Sequence, residues 1–134
     1  MAKISDIEGI GPVYAEKLKV VDIRTVEKLL EAGATRKGRK AVAEKTGISD
    51  ALILEWVNRA DLFRIKGVGE EFSDLLEAAG VDTVKELAQR NAENLVVKIE
   101  EINTEKKLVR RTPNLDMVKG WIEQAKSLPR IVEY

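Results

Sequence analysis

"IEGIGPVYAEKL" (residues 7–18) and "IKGVGEEFSDLL" (residues 65–76) are the stretches that decide the fold. Each sets two glycines around one apolar residue and follows them with a run of helical character. The arrangement predicts a tight bend between short helices, with about two or three residues left to reverse the chain. Glycine supplies the positive φ such a bend needs and lets neighbouring helices come close. Ile10 and Val68, between the glycines, are expected to point inward and staple the bend to the core. Pro12 stands where the second helix begins, a favoured place because its missing N–H is not needed there.

The correspondence continues outward from the bends. At an offset of 58, Ile7, Gly9, Ile10 and Gly11 fall on Ile65, Gly67, Val68 and Gly69. Tyr14 falls on Phe72, Leu18 on Leu76 and Ile23 on Val81, and "RTVEKLL" (24–30) matches "DTVKELA" (82–88). "ILEWVNRA" (53–60) matches "VKGWIEQA" (118–125) at an offset of 65, which sets Trp56 on Trp121 and leaves 7 extra residues in 103–114. The chain reads as a tandem duplication, 1–61 and 62–134, with approximate internal symmetry. Units of this size bury little surface alone, so the copies are expected to pack as one. The paired tryptophans read as core residues of equivalent helices.

Helical signals fill both copies. Val26, Leu29 and Leu30 share a face between Thr25 as N-cap and Gly33 as stop, and Thr35 and Gly47 bracket the next helix. Ser49 caps a helix whose Leu52, Trp56 and Ala60 lie on one side. Leu95, Ile99 and Ile102 mark another helix, and a last one ends before Pro129. Val96-Val97 and the tail "RIVEY" are the only β-like fragments, and both are short. The expected fold is all-α.

Composition narrows the chemistry. The 134 residues contain no Cys and no His, which removes disulfides, zinc-thiolate sites, thiol nucleophiles and the usual general base. Lys plus Arg equals Asp plus Glu at 23 each, so no global field draws in polyanions. Residues 1–66 hold 13 basic and 10 acidic side chains and residues 67–134 hold 10 and 13, which places any polyanion site in the first half. No apolar run approaches spanning length and "MAKISDIEG" has no signal-peptide core, so a soluble cytoplasmic protein without membrane contact is expected.

A bend of this kind turns backbone N–H groups outward at a helix N-terminus, where an oxyanion is favoured. "DIEGIGPVYAEKL" and "RIKGVGEEFSDLL" resemble the helix-hairpin-helix motif, with a small residue, Ala15 or Ser73, four positions past the second glycine. The full pattern is also similar to an uncharacterised bacterial family of tandem helix-hairpin-helix proteins of this length. The resemblance implies contact with DNA backbone without sequence preference, through amides at Gly9, Ile10 and Gly11. It also implies a monovalent cation on main-chain carbonyls of the first hairpin, with no other cofactor.

The chain departs from that pattern where DNA-binding members carry Lys, Arg or Thr. The first copy has Val13 and Tyr14; the second has Glu70, Glu71 and Phe72, then Asp74 and Glu77. Carboxylates at a helix N-terminus occupy the positive end of the dipole themselves, so Gly67, Val68 and Gly69 read as a structural second hairpin. "TRKGRK" concentrates Arg36, Lys37, Arg39 and Lys40, to which Lys17 adds if the helices fold alongside. This patch suits phosphates, a solvated surface, or an acidic neighbour. In the last case the basic first repeat would self-associate with the acidic second.

Ala43, Gly47, Ile48 and Ile53 also fit helix-turn-helix spacing, with Ser49, Asp50 and Ala51 toward base edges, though that helix has little basic character. Glycosylase-type catalysis needs a larger frame and an activated Lys that nothing in the sequence marks. The expected function is therefore non-enzymatic: sequence-independent binding to nucleic-acid backbone, or alternatively a protein-interaction or scaffolding module with purely structural hairpins.

Overall fold

A computed structural model of the chain describes residues 3–134. Among them are eight α-helices and one 3-10 turn, with no strand. The turn, Ile4–Asp6, precedes α1 (Pro12–Val20), α2 (Val26–Ala32), α3 (Arg36–Thr46) and α4 (Asp50–Leu62). Then follow α5 (Glu70–Ala78), α6 (Val84–Ala88), α7 (Ala92–Lys106) and α8 (Leu115–Ser127). Among the described residues no helix is long and apolar enough to cross a membrane.

Most helices begin where a short polar side chain caps them. Thr25, Thr35 and Ser49 accept from the N–H groups of Lys28, Gly38 and Leu52 at 3.0–3.2 Å. Thr83, Asn91 and Asn114 do the same for α6, α7 and α8. Such a cap satisfies a donor that the first turn leaves without an intrahelical partner. Only α1 and α5 start differently, on Gly11 and Gly69, with no side-chain cap.

The two bends share one backbone. Gly9 has φ +94° and Gly67 φ +95°. Ile10 N–H donates to the Ile7 carbonyl and Val68 N–H to the Ile65 carbonyl, each at 3.1 Å. Ile10 and Val68 are buried, as their place between the glycines predicts. Each bend also rests on a tryptophan: a Cβ on Gly9 would lie 3.3 Å from Trp56 Nε1, and one on Gly67 would lie 3.1 Å from Trp121 Nε1. Tyr14 meets Trp56 at a ring separation of 5.0 Å, and Phe72 meets Trp121 at 5.3 Å.

The flanks differ from expectation. A 3-10 turn, not a helix, precedes the first bend, and the irregular stretches span 7–11 and 63–69 rather than two or three residues. Gly11 and Gly69 are extended, with nothing within 4 Å of an added Cβ, so neither packing nor φ demands glycine there. Gly9→Ala and Gly67→Ala are each expected to lower the unfolding free energy by about 1–3 kcal/mol, because each forces a side chain into a left-handed conformation. Gly69→Ala loses under about 1 kcal/mol, the difference between weak N-caps. Thermal melts of the three variants check this, and equal losses would remove the conformational explanation.

By contacts the chain forms two compact units. One runs to Asp61 and takes back Ile131–Tyr134; the other is Leu62–Arg130. The tail assigned by the repeat to the second copy therefore lies with the first. Val132 is buried and Glu133 N–H donates to the Ala34 carbonyl at 2.7 Å. In the first unit α3 packs on α1 and α2; in the second α8 packs on α6 and α7, and α5 on α7. Leu62, Ile65, Leu75, Leu76, Leu87, Ile99, Val118 and Trp121 belong to one apolar cluster of the second unit.

Two further glycines answer to space. A Cβ on Gly33 would run into Val57 Cγ2, and one on Gly38 into the Ala32 carbonyl oxygen. Gly33 does end α2, but with φ −102°, a value open to any residue. Val96 and Val97, β-like in sequence, lie within α7, whose caps and inward face at Leu95 and Ile99 override local propensity.

Candidate functional site

The first bend leaves a row of donors. Ile10 N–H is taken by the Ile7 carbonyl, so it is not among them. The N–H groups of Gly11, Val13 and Tyr14 have no acceptor among the described residues, Pro12 having no N–H. They open at the positive end of α1, whose first turn carries no carboxylate. The α5 turn has a similar backbone but is acidic where that of α1 is uncharged, with Glu70 and Glu71 in it. Gln124 secures that second bend, accepting from Lys66 N–H at 2.9 Å and donating to the Lys66 carbonyl at 3.2 Å. Its counterpart on α4 is Arg59, a buried residue.

The carbonyl oxygens of Glu8, Gly9 and Ile10 accept no hydrogen bond among the described residues. Main-chain oxygens are the donors a monovalent cation takes, so the chemistry of the bend fits the ion that the resemblance implies. No group of three or more carboxylates is placed to hold a metal ion among the described residues.

The structure divides the basic patch. Arg36, Lys37 and Lys40 are exposed on α3, which packs on α1. Lys17 is exposed near the far end of α1, its Nζ 5.9 Å from the Tyr14 ring centre, within cation–π range. Arg39 departs from expectation: it is only 6% exposed. Its guanidinium donates to the Gly33 carbonyl at 2.9 Å and the Glu133 carbonyl at 2.8 Å. Burial lowers its pKa, and Arg36 adds to that, while Tyr134 and Asp50 pull the other way. A guanidinium stays charged through such shifts. Arg39 therefore joins the α2 C-terminus to the tail.

Beside it lies a cavity of about 440 Å³ lined by Arg36, Arg39, Lys40, Asp50, Ala51, Leu54 and Tyr134. Arg36 and Lys40 set two exposed cations beside Asp50, and Ala51 and Leu54 add an apolar wall. Ser49, placed toward base edges by a helix-turn-helix reading, uses its hydroxyl to cap α4. Sequence reasoning missed Tyr134, whose hydroxyl donates to Asn58 Oδ1 at 3.0 Å. Nothing local marks a contact between residues so far apart in the chain.

No curated protein and no solved structure matches the chain. A family model does match, over residues 8–128, a span that takes in both bends and both tryptophans. The chain belongs to the family described as domain of unknown function DUF4332.

Proposed function

We propose that the chain is a non-enzymatic module of two helix-hairpin-helix repeats that binds nucleic-acid backbone, chiefly DNA, weakly and without sequence preference. The first bend and the exposed cations of α3 make the contact. One observation carries this reading: α1 and α5 alone lack a side-chain cap, and of the two only α1 keeps its first turn free of carboxylate. The open amides of Gly11, Val13 and Tyr14 then take a phosphate oxygen, and Arg36, Lys37 and Lys40 add charge. A monovalent cation, where one joins, is held by the Glu8, Gly9 and Ile10 carbonyls and adds positive charge beside that phosphate. Arg39 acts from below by fixing α3.

The test is a titration against labelled duplex of arbitrary sequence at low and moderate salt. An Arg36→Ala, Lys37→Ala, Lys40→Ala variant is expected to bind more weakly, its log K against log salt flatter by about 0.9 for each phosphate it no longer neutralises. Gly11→Asp is expected to hold or raise stability, since Asp caps a helix well and complements its dipole. It should nonetheless weaken duplex binding by setting a carboxylate where the phosphate goes. Wild-type protein that ignores duplex at low salt would overturn the reading.

A protein-interaction role is the second reading, and one observation favours it. Val13 and Val20 are 69% and 83% exposed, seven residues apart and so near one face of α1. A partner protein covering them would bind less tightly to Val13→Ser, Val20→Ser, while duplex affinity would not move.

A further inference from the structure

The segment that has no counterpart in the first unit is the join between α7 and α8. At the offset of 58, α3 would end at 104; α7 runs on to Lys106, and an eight-residue connector replaces the three residues 47–49. The added stretch is "KKLVRR", residues 106–111, with two cationic pairs around an apolar pair. Glu105 is the only carboxylate in 105–113. A charge balance taken over whole halves of the chain hides this cluster.

The structure turns the pattern into a surface. Val109 is buried and Leu108 packs against the core of the second unit, whereas Lys106, Lys107, Arg110 and Arg111 are all exposed. None of the four is ion-paired among the described residues. Asn103 holds the loop: its side chain donates to the Val109 carbonyl and accepts from Val109 N–H, both at 3.0 Å. Its backbone carbonyl accepts from Lys107 N–H at 2.8 Å, and Thr112 bonds Glu100 beyond. Lys107 takes a left-handed conformation, φ +51°, at the helix stop where α3 has Gly47. Lysine is the costlier residue there, so its charge is the feature that distinguishes it. Favourable interaction with the α7 dipole accounts for Lys106 and Lys107. It does not account for Arg110 and Arg111, four and five residues past the helix end.

We infer that 106–111 is a second phosphate-backbone contact for nucleic acid, on the unit whose hairpin is closed to anions. It rests on the reading that this protein binds nucleic acid, but uses none of the same residues. Asn103 already fixes the loop backbone, so binding a polyanion has only the exposed side chains left to order. Val109 is buried and Leu108 half-buried, so the loop offers little apolar surface for insertion into a bilayer.

The full-length chain tests it in three forms: wild type, a Lys106→Ala, Lys107→Ala, Arg110→Ala, Arg111→Ala variant, and the Arg36→Ala, Lys37→Ala, Lys40→Ala variant. Each is titrated with arbitrary duplex at two salt concentrations and with vesicles containing phosphatidylserine. The loop variant is expected to bind duplex roughly tenfold more weakly at low salt, with a flatter salt slope. Asn103→Ala keeps every charge and loosens the clamp, so it should lower affinity without changing that slope; circular dichroism confirms folding of all forms. A loop variant equal to wild type overturns this inference while a weakened α3 variant sustains the first-bend reading. The reverse pattern does the opposite, and loop-dependent binding to vesicles but not duplex overturns it too.

Discussion

Trp121→Ala is expected to lower the stability of the Leu62–Arg130 unit by about 3–5 kcal/mol, the usual loss when a buried Trp becomes Ala. Trp121 is 4% exposed and shares its cluster with Val118, Ile122 and Ala125 on its own helix. Its ring meets Phe72 of α5, and its indole lies under Gly67. One side chain thus supports α8, α5 and the second bend together, and no small neighbour can fill the space it leaves. Urea denaturation followed by helical circular dichroism measures the loss; a change under about 1 kcal/mol would mean the indole is not a core element. A double-mutant cycle adds a sharper check. Gly67→Ala should cost less in the Trp121→Ala background, because the Cβ then no longer meets the indole, while the φ penalty persists.

Arg39→Met is expected to cost about 2–4 kcal/mol, since the buried Gly33 carbonyl and the part-buried Glu133 carbonyl both lose charge-assisted donors. Met keeps the apolar stem that Arg packs against Gly33, so the loss reports the guanidinium rather than a cavity. Lys40→Met, one residue on and exposed, should shift stability by no more than about 0.5 kcal/mol. Equal effects at the two positions would contradict the structural role of Arg39. This division also governs how the α3 cluster is tested: removing Arg39 with its neighbours would confuse loss of binding with loss of fold.

Much of the fold was legible because its determinants are local. Thr25, Thr35 and Ser49 mark helix starts through bonds spanning three residues, and Gly9 and Gly67 mark bends through their own φ. The Trp56 and Trp121 positions followed from the repeat, and both are buried. Gly11 and Gly69 resisted the same logic, since they are extended and uncrowded, and nothing in the fold beyond a modest N-cap preference calls for glycine there.

The candidate site was less legible, and for one physical reason. Sequence by itself determined an all-α chain, the capped starts of several helices, its two glycine bends and which of the two following helices begins with carboxylates, all set by residues within a few positions of one another. Only tertiary structure decided which cations face water. Arg39 is buried because a tail residue 94 positions away presents a carbonyl to it, and Lys106, Lys107, Arg110 and Arg111 are exposed because Asn103 and Val109 pin their loop. Exposure depends on what the rest of the chain brings alongside, and counting charges along a sequence contains none of that.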